Sequence, residues 1–392
     1  MPGFELVGPE EQAAVNEVFE KAGGVLFRHG FDVLRHGSFK VVEFERRFAD
    51  AVGMRYAQAV TSGTAAVKVA LKALGVRPGD EVITQCFTFV ATAEAILELG
   101  ATPVFTQIDA ILNMDPEDLE RRITPRTKAI VPVHMLGSAA RMDEILAIAR
   151  RHRLKVMEDT AQAVGATYRG RPLGTLGDAG AFSFDFGKAL TTGEGGMVVT
   201  DDPAVFRAAS EYADHGHEHN PAVPRGEDSR SNWGFNYRMM ELQGAIGLVQ
   251  LSKLPTALDA QRRNKARLKA LLRDVPGLTF RTHTDEAGEA GDTLVFFLED
   301  SDRARQVARE LLQRAVGNKI LPESLDWHYA GTWSHMLSSI PAYQDHDLEA
   351  EWGPSGKLLR RGVALPVMIK MSESRIREVA DAVREVCRMV VV

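Results

Sequence analysis

Between Tyr56 and Thr200 the chain alternates short apolar runs with amphipathic ones, and this alternation restricts the fold more than any other feature. "DEVITQ", "TPVFTQID", "TKAIVPVHM" and "LKVMED" have the length and composition of strands. "GTAAVKVALKALGV", "TFVATAEAILELG" and "ARMDEILAIARRHR" carry apolar residues at helical spacing, and "DPEDLERRI" reads as a helix capped near Asp115. "AGAFSFD" and "GGMVVTD" add two more strands. Such alternation predicts an α/β fold: a mostly parallel sheet with helices on both faces. Ligands of such sheets collect at the carboxyl ends of the strands. Three stretches then qualify as site: Thr61–Thr64, Asp159–Gln162 and the loop around Lys188.

The 392 residues, 45% of them hydrophobic and 26% charged, are enough for a large core and two domains. The boundary is expected near 250–260, with a larger domain over 1–255 and a smaller one of mixed strands and helices over 256–392. "MELQGAIGLVQLSKL" and "TALDAQRRNKARLKALLRDV" read as two helices at that junction. A net charge of −6 shows no basic excess and argues against a nucleic acid partner. Two distant cysteines, Cys86 and Cys387, make neither a disulfide framework nor a cysteine zinc site, which fits a reducing cytosol. The opening "MPGFELVGPEEQAAV" has no signal-peptide pattern, and no run approaches the ~18 apolar residues of a membrane helix, so a cytoplasmic location is expected. Residues 214–238, polar and rich in His, Pro and Gly, read as a long functional loop.

The three stretches supply what a pyridoxal phosphate enzyme needs: an amine, a carboxylate for the ring nitrogen and donors for the phosphate. Lys188, framed by strands and followed by "GEGG", is either an ordinary solvated lysine or the amine that bonds the cofactor aldehyde. Asp159 ends a strand, where a carboxylate keeps a pyridine nitrogen protonated or simply caps the next turn. Gln162 follows three residues later, in reach of a ring hydroxyl. Ser62, Gly63 and Thr64 open a helix whose free amides suit a phosphate, or form an ordinary cap. Phe89 opens the next helix and either stacks on a ring or joins the core.

"TSGTAAV", "TFVAT", "EDTAQAVGA", "FSFDFGKALTTGEGG" and "GFNYRM" occur together and in this order. Together they resemble the DegT/DnrJ/EryC1/StrS sugar aminotransferases, pyridoxal phosphate enzymes of fold type I, and the resemblance runs from about residue 39 to the C-terminus. It implies a large domain with a mostly parallel seven-stranded sheet, plus a smaller C-terminal α+β domain. Lys188 would be the catalytic lysine and proton shuttle, with pyridoxal 5'-phosphate and pyridoxamine 5'-phosphate as the two cofactor forms. Asp159 would face the ring nitrogen, Phe89 the ring and Gln162 the ring oxygen. Gly63, Thr64 and Ser183 would take the phosphate. Asn236 would reach it from a neighbouring subunit, so a homodimer with shared sites is implied. One branch of the family replaces the lysine with histidine and dehydrates sugars; the lysine here favours transamination. Asp185 and "HGSFKV" depart from many relatives.

The opening "MPGFELVGPEE", the "DHGHEH" loop, "SFD" before the lysine and "WHY…W" at 327–333 are similar to one subgroup. That subgroup makes 8-amino-3,8-dideoxy-manno-octulosonate (Kdo8N), a lipopolysaccharide sugar, with glutamate as amino donor. Its acceptor is 8-oxo-3-deoxy-manno-octulosonate; a nucleotide-linked keto sugar is the alternative. Glutamate and the octulosonate both carry a carboxylate, so cationic contacts are expected, with His215, His217 and Arg238 as candidates; His328 would line the pocket from the C-terminal part, and Trp327 would line it or join the core. A metal at His215, His217 and His219 has no supporting carboxylate or cysteine pattern and is not expected.

Overall fold

The predicted strands assemble into one sheet. The computed structural model describes residues 3–391 except 221, 224–226, 230 and 231. Its strands are β1 (Tyr56–Val60), β2 (Glu81–Gln85), β3 (Thr102–Thr106), β4 (Thr127–Val131), β5 (Lys155–Asp159), a small hairpin β6 (Thr167–Tyr168) and β7 (Arg171–Pro172), then β8 (Ala179–Ser183) and β9 (Gly196–Thr200). The hairpin stands apart, and the other seven lie in the order β1-β9-β8-β5-β4-β2-β3. β9 runs against both its neighbours, while the remaining neighbouring pairs are parallel. β2, β8 and β9 are buried along their whole length, as strands covered on both faces must be.

The helices that cover the sheet are α1 (Pro9–Glu20), α2 (Lys40–Val52), α3 (Gly63–Ala73), α4 (Val90–Glu98), α5 (Pro116–Arg121), α6 (Met142–His152) and α7 (Pro203–Ala213). Asp115 caps α5 by accepting from the Glu117 amide, as the sequence predicts. On one face Val67 and Leu71 of α3 and Ile96 of α4 share a core with Phe105. On the other, Phe44 and Phe48 of α2 pack against Phe182 and Phe184, with the Phe48 and Phe182 rings 5.0 Å apart. That aromatic contact anchors the chain just before the Lys188 loop.

The two helices expected around residue 255 are one. α8 (Glu241–Leu271) runs through Pro255 without a break, so the expected domain boundary falls inside a helix. Proline removes a hydrogen bond from a helix interior, but packing on both sides holds this helix through it. Gly244 and Gly247 abut Val41 and Phe44; further along, Gln261 and Asn264 donate to the carbonyls of Val367 and Met368. Beyond α8 an antiparallel sheet, β10 (Thr279–Phe280), β11 (Thr293–Phe297) and β12 (Gly362–Pro366), carries α9 (Ser301–Gln313). Short helices α10 (Ser334–Leu337), α11 (Leu348–Glu351) and α12 (Gly353–Arg360) precede β12, and α13 (Glu373–Val391) follows it. Leu294, Phe296, Leu311, Val379 and Val383 form their own core. Trp333, Tyr343 and Trp352 instead join the core of the larger sheet, where the Trp352 indole donates to the Phe105 carbonyl at 3.1 Å. Among the described residues no helix is long and apolar enough to cross a membrane.

Candidate active site

The carboxyl ends of β1, β5 and β8 open into a cavity of about 360 Å³. Ser62, Gly63, Thr64, Phe89, Asp159, Gln162, Ser183, Lys188 and His328 all line it. Nine residues read from separate stretches of sequence thus meet at one place.

The start of α3 forms one wall. Ser62 adopts extended backbone and its Oγ accepts from the Ala65 amide at 3.1 Å, so it is a cap as well as a lining residue. A Cβ on Gly63 would stand 2.6 Å from the Ser183 Cβ, so only glycine lets the helix start meet the end of β8. The cradle combines first-turn amides, which lack intrahelical partners, with the Ser183 hydroxyl, a donor set that fits a phosphate.

Asp159 forms the floor and is buried. Its Oδ2 accepts from the Thr92 hydroxyl at 2.8 Å and its Oδ1 from the Ala161 amide at 3.1 Å. Burial nevertheless pushes its pKa above the usual carboxylate range, against these hydrogen bonds and the charge of Lys188. A protonated ring nitrogen supplies the cationic partner that such a carboxylate lacks. Gln162 gives its side-chain oxygen to the Leu136 amide at 3.1 Å, which leaves its NH₂ as the free donor.

Lys188 follows a tight turn in which its amide donates to the Asp185 carbonyl and the Gly187 amide to the Asp185 side chain, both at 2.9 Å. Burial lowers the Lys188 pKa; Asp185 opposes this and Lys319 adds to it. A lysine held below its ordinary range carries more free amine, the nucleophilic form. It is not the solvated side chain that most lysines are.

Phe89 caps the start of α4 and is 43% exposed, so it is pocket wall rather than core. Trp327, at 63% exposure, lies beside it with ring centroids 6.5 Å apart and planes within 23°; it too is outside the core. His328 packs against Phe89 at 5.3 Å and its Nδ1 bonds the Ser324 carbonyl at 2.8 Å. A carbonyl only accepts, so Nδ1 carries the proton and the neutral ring keeps Nε2 as an acceptor. Burial lowers the His328 pKa to about 4. Near neutral pH His328 is therefore an uncharged acceptor on the pocket wall.

His215, His217 and Arg238 do not line this pocket of their own chain. Asp214, the first residue of the "DHGHEH" stretch, gathers several of the nearby charges. It pairs with Arg238, with His29 at 2.8 Å and with His219 at 3.4 Å, while His217 pairs with Asp228. Asn236 is exposed and also lies outside the pocket. Its segment runs along the sheet, with the Thr61 amide donating to the Tyr237 carbonyl at 3.0 Å. Among the described residues no group of three metal-binding side chains could hold an ion.

Thr92, Glu194 and Lys319 also line the pocket and were not anticipated. Thr92 lies three residues after Phe89, so helical spacing from Phe89 would have found it. Lys319 comes from the turn before α10 and had no local signal.

Fold and site together define a pyridoxal phosphate-dependent aminotransferase. The chain belongs to the DegT/DnrJ/EryC1/StrS aminotransferase family, whose sequence model matches residues 29–384. It is 37% identical over 395 aligned residues to the spore coat polysaccharide biosynthesis protein SpsC of Bacillus subtilis, covering 98% of this chain and 96% of that protein. It is 47% identical over 228 residues to the GDP-perosamine synthase of Caulobacter vibrioides, covering 57% and 59% of the two. Among solved structures, the aminotransferase TlmJ of Streptoalloteichus hindustanus superposes with a TM-score of 0.83 at 29% identity, over 98% of each chain. NtdA from Bacillus subtilis, solved with bound PMP, superposes at 0.84 and 25% identity, over 99% of this chain and 84% of that one.

Proposed function

We propose that the chain moves an amino group from glutamate to carbon 8 of 8-oxo-3-deoxy-manno-octulosonate, giving Kdo8N for lipopolysaccharide. The observation that carries the chemistry is the meeting of Lys188, Asp159 and the α3 start in one cavity. The sugar rests on three of the segments that resemble the octulosonate subgroup: two of them line that cavity and the third contacts the loop that does. Asp185 and His328 line it, and the opening segment packs on the Lys188 loop.

The cofactor supplies an electrophilic carbon and a ring that accepts electron density when a proton leaves the adjoining substrate carbon. The residues do the rest. The α3 amides and Ser183 hold the phosphate, and Asp159 holds the proton on the ring nitrogen. Phe89 covers one side. The Lys188 amine takes the substrate proton and returns it one position away, as general base and then general acid. One pocket serves donor and acceptor in turn, so the kinetics are ping-pong. Nε2 of His328 accepts from a sugar hydroxyl. The exposed Asn236 and the neighbouring exposed Trp233 and Phe235 support a homodimer in which Asn236 completes the partner's phosphate site.

The similarity to a GDP-perosamine synthase favours a second acceptor, a nucleotide-linked 4-keto sugar. The reverse half-reaction separates the two. The yellow pyridoxal form is mixed with excess Kdo8N, and the loss of its absorbance as the pyridoxamine form accumulates is followed; a nucleotide-linked 4-amino sugar is run in parallel. Reaction with the first alone supports the octulosonate, and reaction with the second alone replaces it. Light scattering tests the dimer.

A further inference from the structure

The pocket has a shortage of positive charge. Its lining holds the carboxylates of Asp159, Asp185 and Glu194. Among the described residues that line it, the cationic side chains are Lys188 and Lys319. Lys188 is committed to the cofactor, His328 stays uncharged near neutral pH, and Arg238 is held by Asp214 outside the pocket. An acidic substrate therefore has Lys319 as its counter-ion from this chain.

Lys319 is built into place. Its Nζ donates to Asp292 Oδ2 at 2.7 Å and to Thr293 Oγ1 at 2.6 Å. An ammonium has three N–H donors, so one remains. Asp292 is 1% exposed; burial alone would raise its pKa, but the Lys319 charge and hydrogen bonds hold it low, so the carboxylate stays ionised and the ammonium stays fixed. The backbone is forced as well. The Leu321 amide donates to the Lys319 carbonyl at 2.8 Å across Ile320, whose φ is +69°. That is a γ-turn with positive φ on a β-branched residue, a conformation such residues rarely adopt. Strain of this kind persists where the surroundings over-determine it, and Ile320 lines the same pocket.

We propose that Lys319 is the carboxylate anchor of this pocket, pairing through its third N–H with the acid group of whichever substrate is bound. This rests on the aminotransferase reading above and narrows it: the acceptor is an acid sugar, and donor and acceptor share one counter-ion.

The test uses holoenzyme and two probes of equal size, glutarate and its uncharged diamide glutaramide, measured by calorimetry. Lys319→Gln is compared with the double variant Lys319→Gln/Asp292→Asn, which leaves no unpaired buried charge. The wild type is expected to prefer glutarate. Both variants should bind it about 10- to 100-fold more weakly, the range of one charge-assisted hydrogen bond, with glutaramide unchanged. KM for glutamate should rise alongside while kcat changes little. Loss of under about threefold in glutarate affinity overturns the anchor, and so does an equal loss for both probes. Arg238→Gln is the check on a partner's contribution: loss of glutarate binding there, with binding kept in Lys319→Gln, also overturns it. A wild type that binds glutarate through Lys319 but leaves Kdo8N unreacted keeps the anchor and removes only the proposed sugar.

Discussion

The amide of Gly3 donates to the carbonyl oxygen of Lys188 at 2.9 Å. The opening of the chain thus rests on the backbone of Lys188, the proposed catalytic lysine. Phe4 continues the contact by stacking on Phe186 at 5.0 Å, and Glu5 accepts from the Ile369 amide at 2.7 Å. A Cβ at Gly3 would lie 2.5 Å from the carbonyl oxygens of both Lys188 and Ala189. Gly3→Ala is expected to displace the lysine and lower kcat by roughly 10- to 100-fold, the effect of a misplacement near 1 Å. Stopped-flow rates with glutamate measure it, and an unchanged rate shows that the contact does not position the lysine.

Lys188→Ala removes the amine that moves the proton. Turnover should fall by on the order of 10³-fold or more. The α3 cradle and Asp159 remain, so cofactor should still bind without a covalent link. Mass spectrometry after borohydride treatment is expected to show a cofactor adduct in the wild type and none in the variant. Undiminished turnover would remove Lys188 from the mechanism.

Thr92→Val deletes a donor to the Asp159 carboxylate at 2.8 Å. That bond favours the charged form, so its loss raises the Asp159 pKa further above the ordinary range. The acidic limb of the pH–rate profile should move to higher pH, and kcat near pH 7 should drop about tenfold. A profile that keeps its position would show that Asp159 is not the group titrating there.

His328 and His219 are held uncharged by burial, each with a pKa of about 4 in the folded protein against 6.5 when free. Above pH 6.5 both states carry neutral rings and nothing depends on pH. Below it the unfolded chain gains protons that the folded one refuses, so stability falls as pH drops from 6.5 to 4. Asp214, held low by His29 and Arg238 against the effect of burial, loses stabilisation in the same direction at still lower pH. Urea midpoints at pH 7.5, 6 and 4.5 should decline, and His328→Asn should decline less; equal slopes for both proteins would exclude His328 as a contributor.

Much of this architecture is written locally. A strand covered on both faces is largely apolar, so β8 and β9 announce themselves. Ser62–Thr64, Asp159 and Lys188 are readable because each sits at the end of a strand, where the fold class alone predicts a site. Lys319 is different: its meaning comes from Asp292, 27 positions earlier, and from a turn that no sequence pattern encodes. Arg238 and His217 have the right chemistry for a substrate contact, yet Asp214 holds Arg238 and Asp228 holds His217. Two helices are expected around residue 255, and only the neighbours on both sides of α8 show why a proline there, which costs a helix interior about 3 kcal/mol, does not divide it.

That uninterrupted helix gives the molecule a drive shaft. Its 31 residues extend roughly 46 Å at 1.5 Å per residue. One end is seated against α2 beneath the lysine loop, and the other is bolted to the strand that leads into α13. A tilt of the C-terminal sheet would therefore act on α2 through one rigid helix rather than through a loose joint.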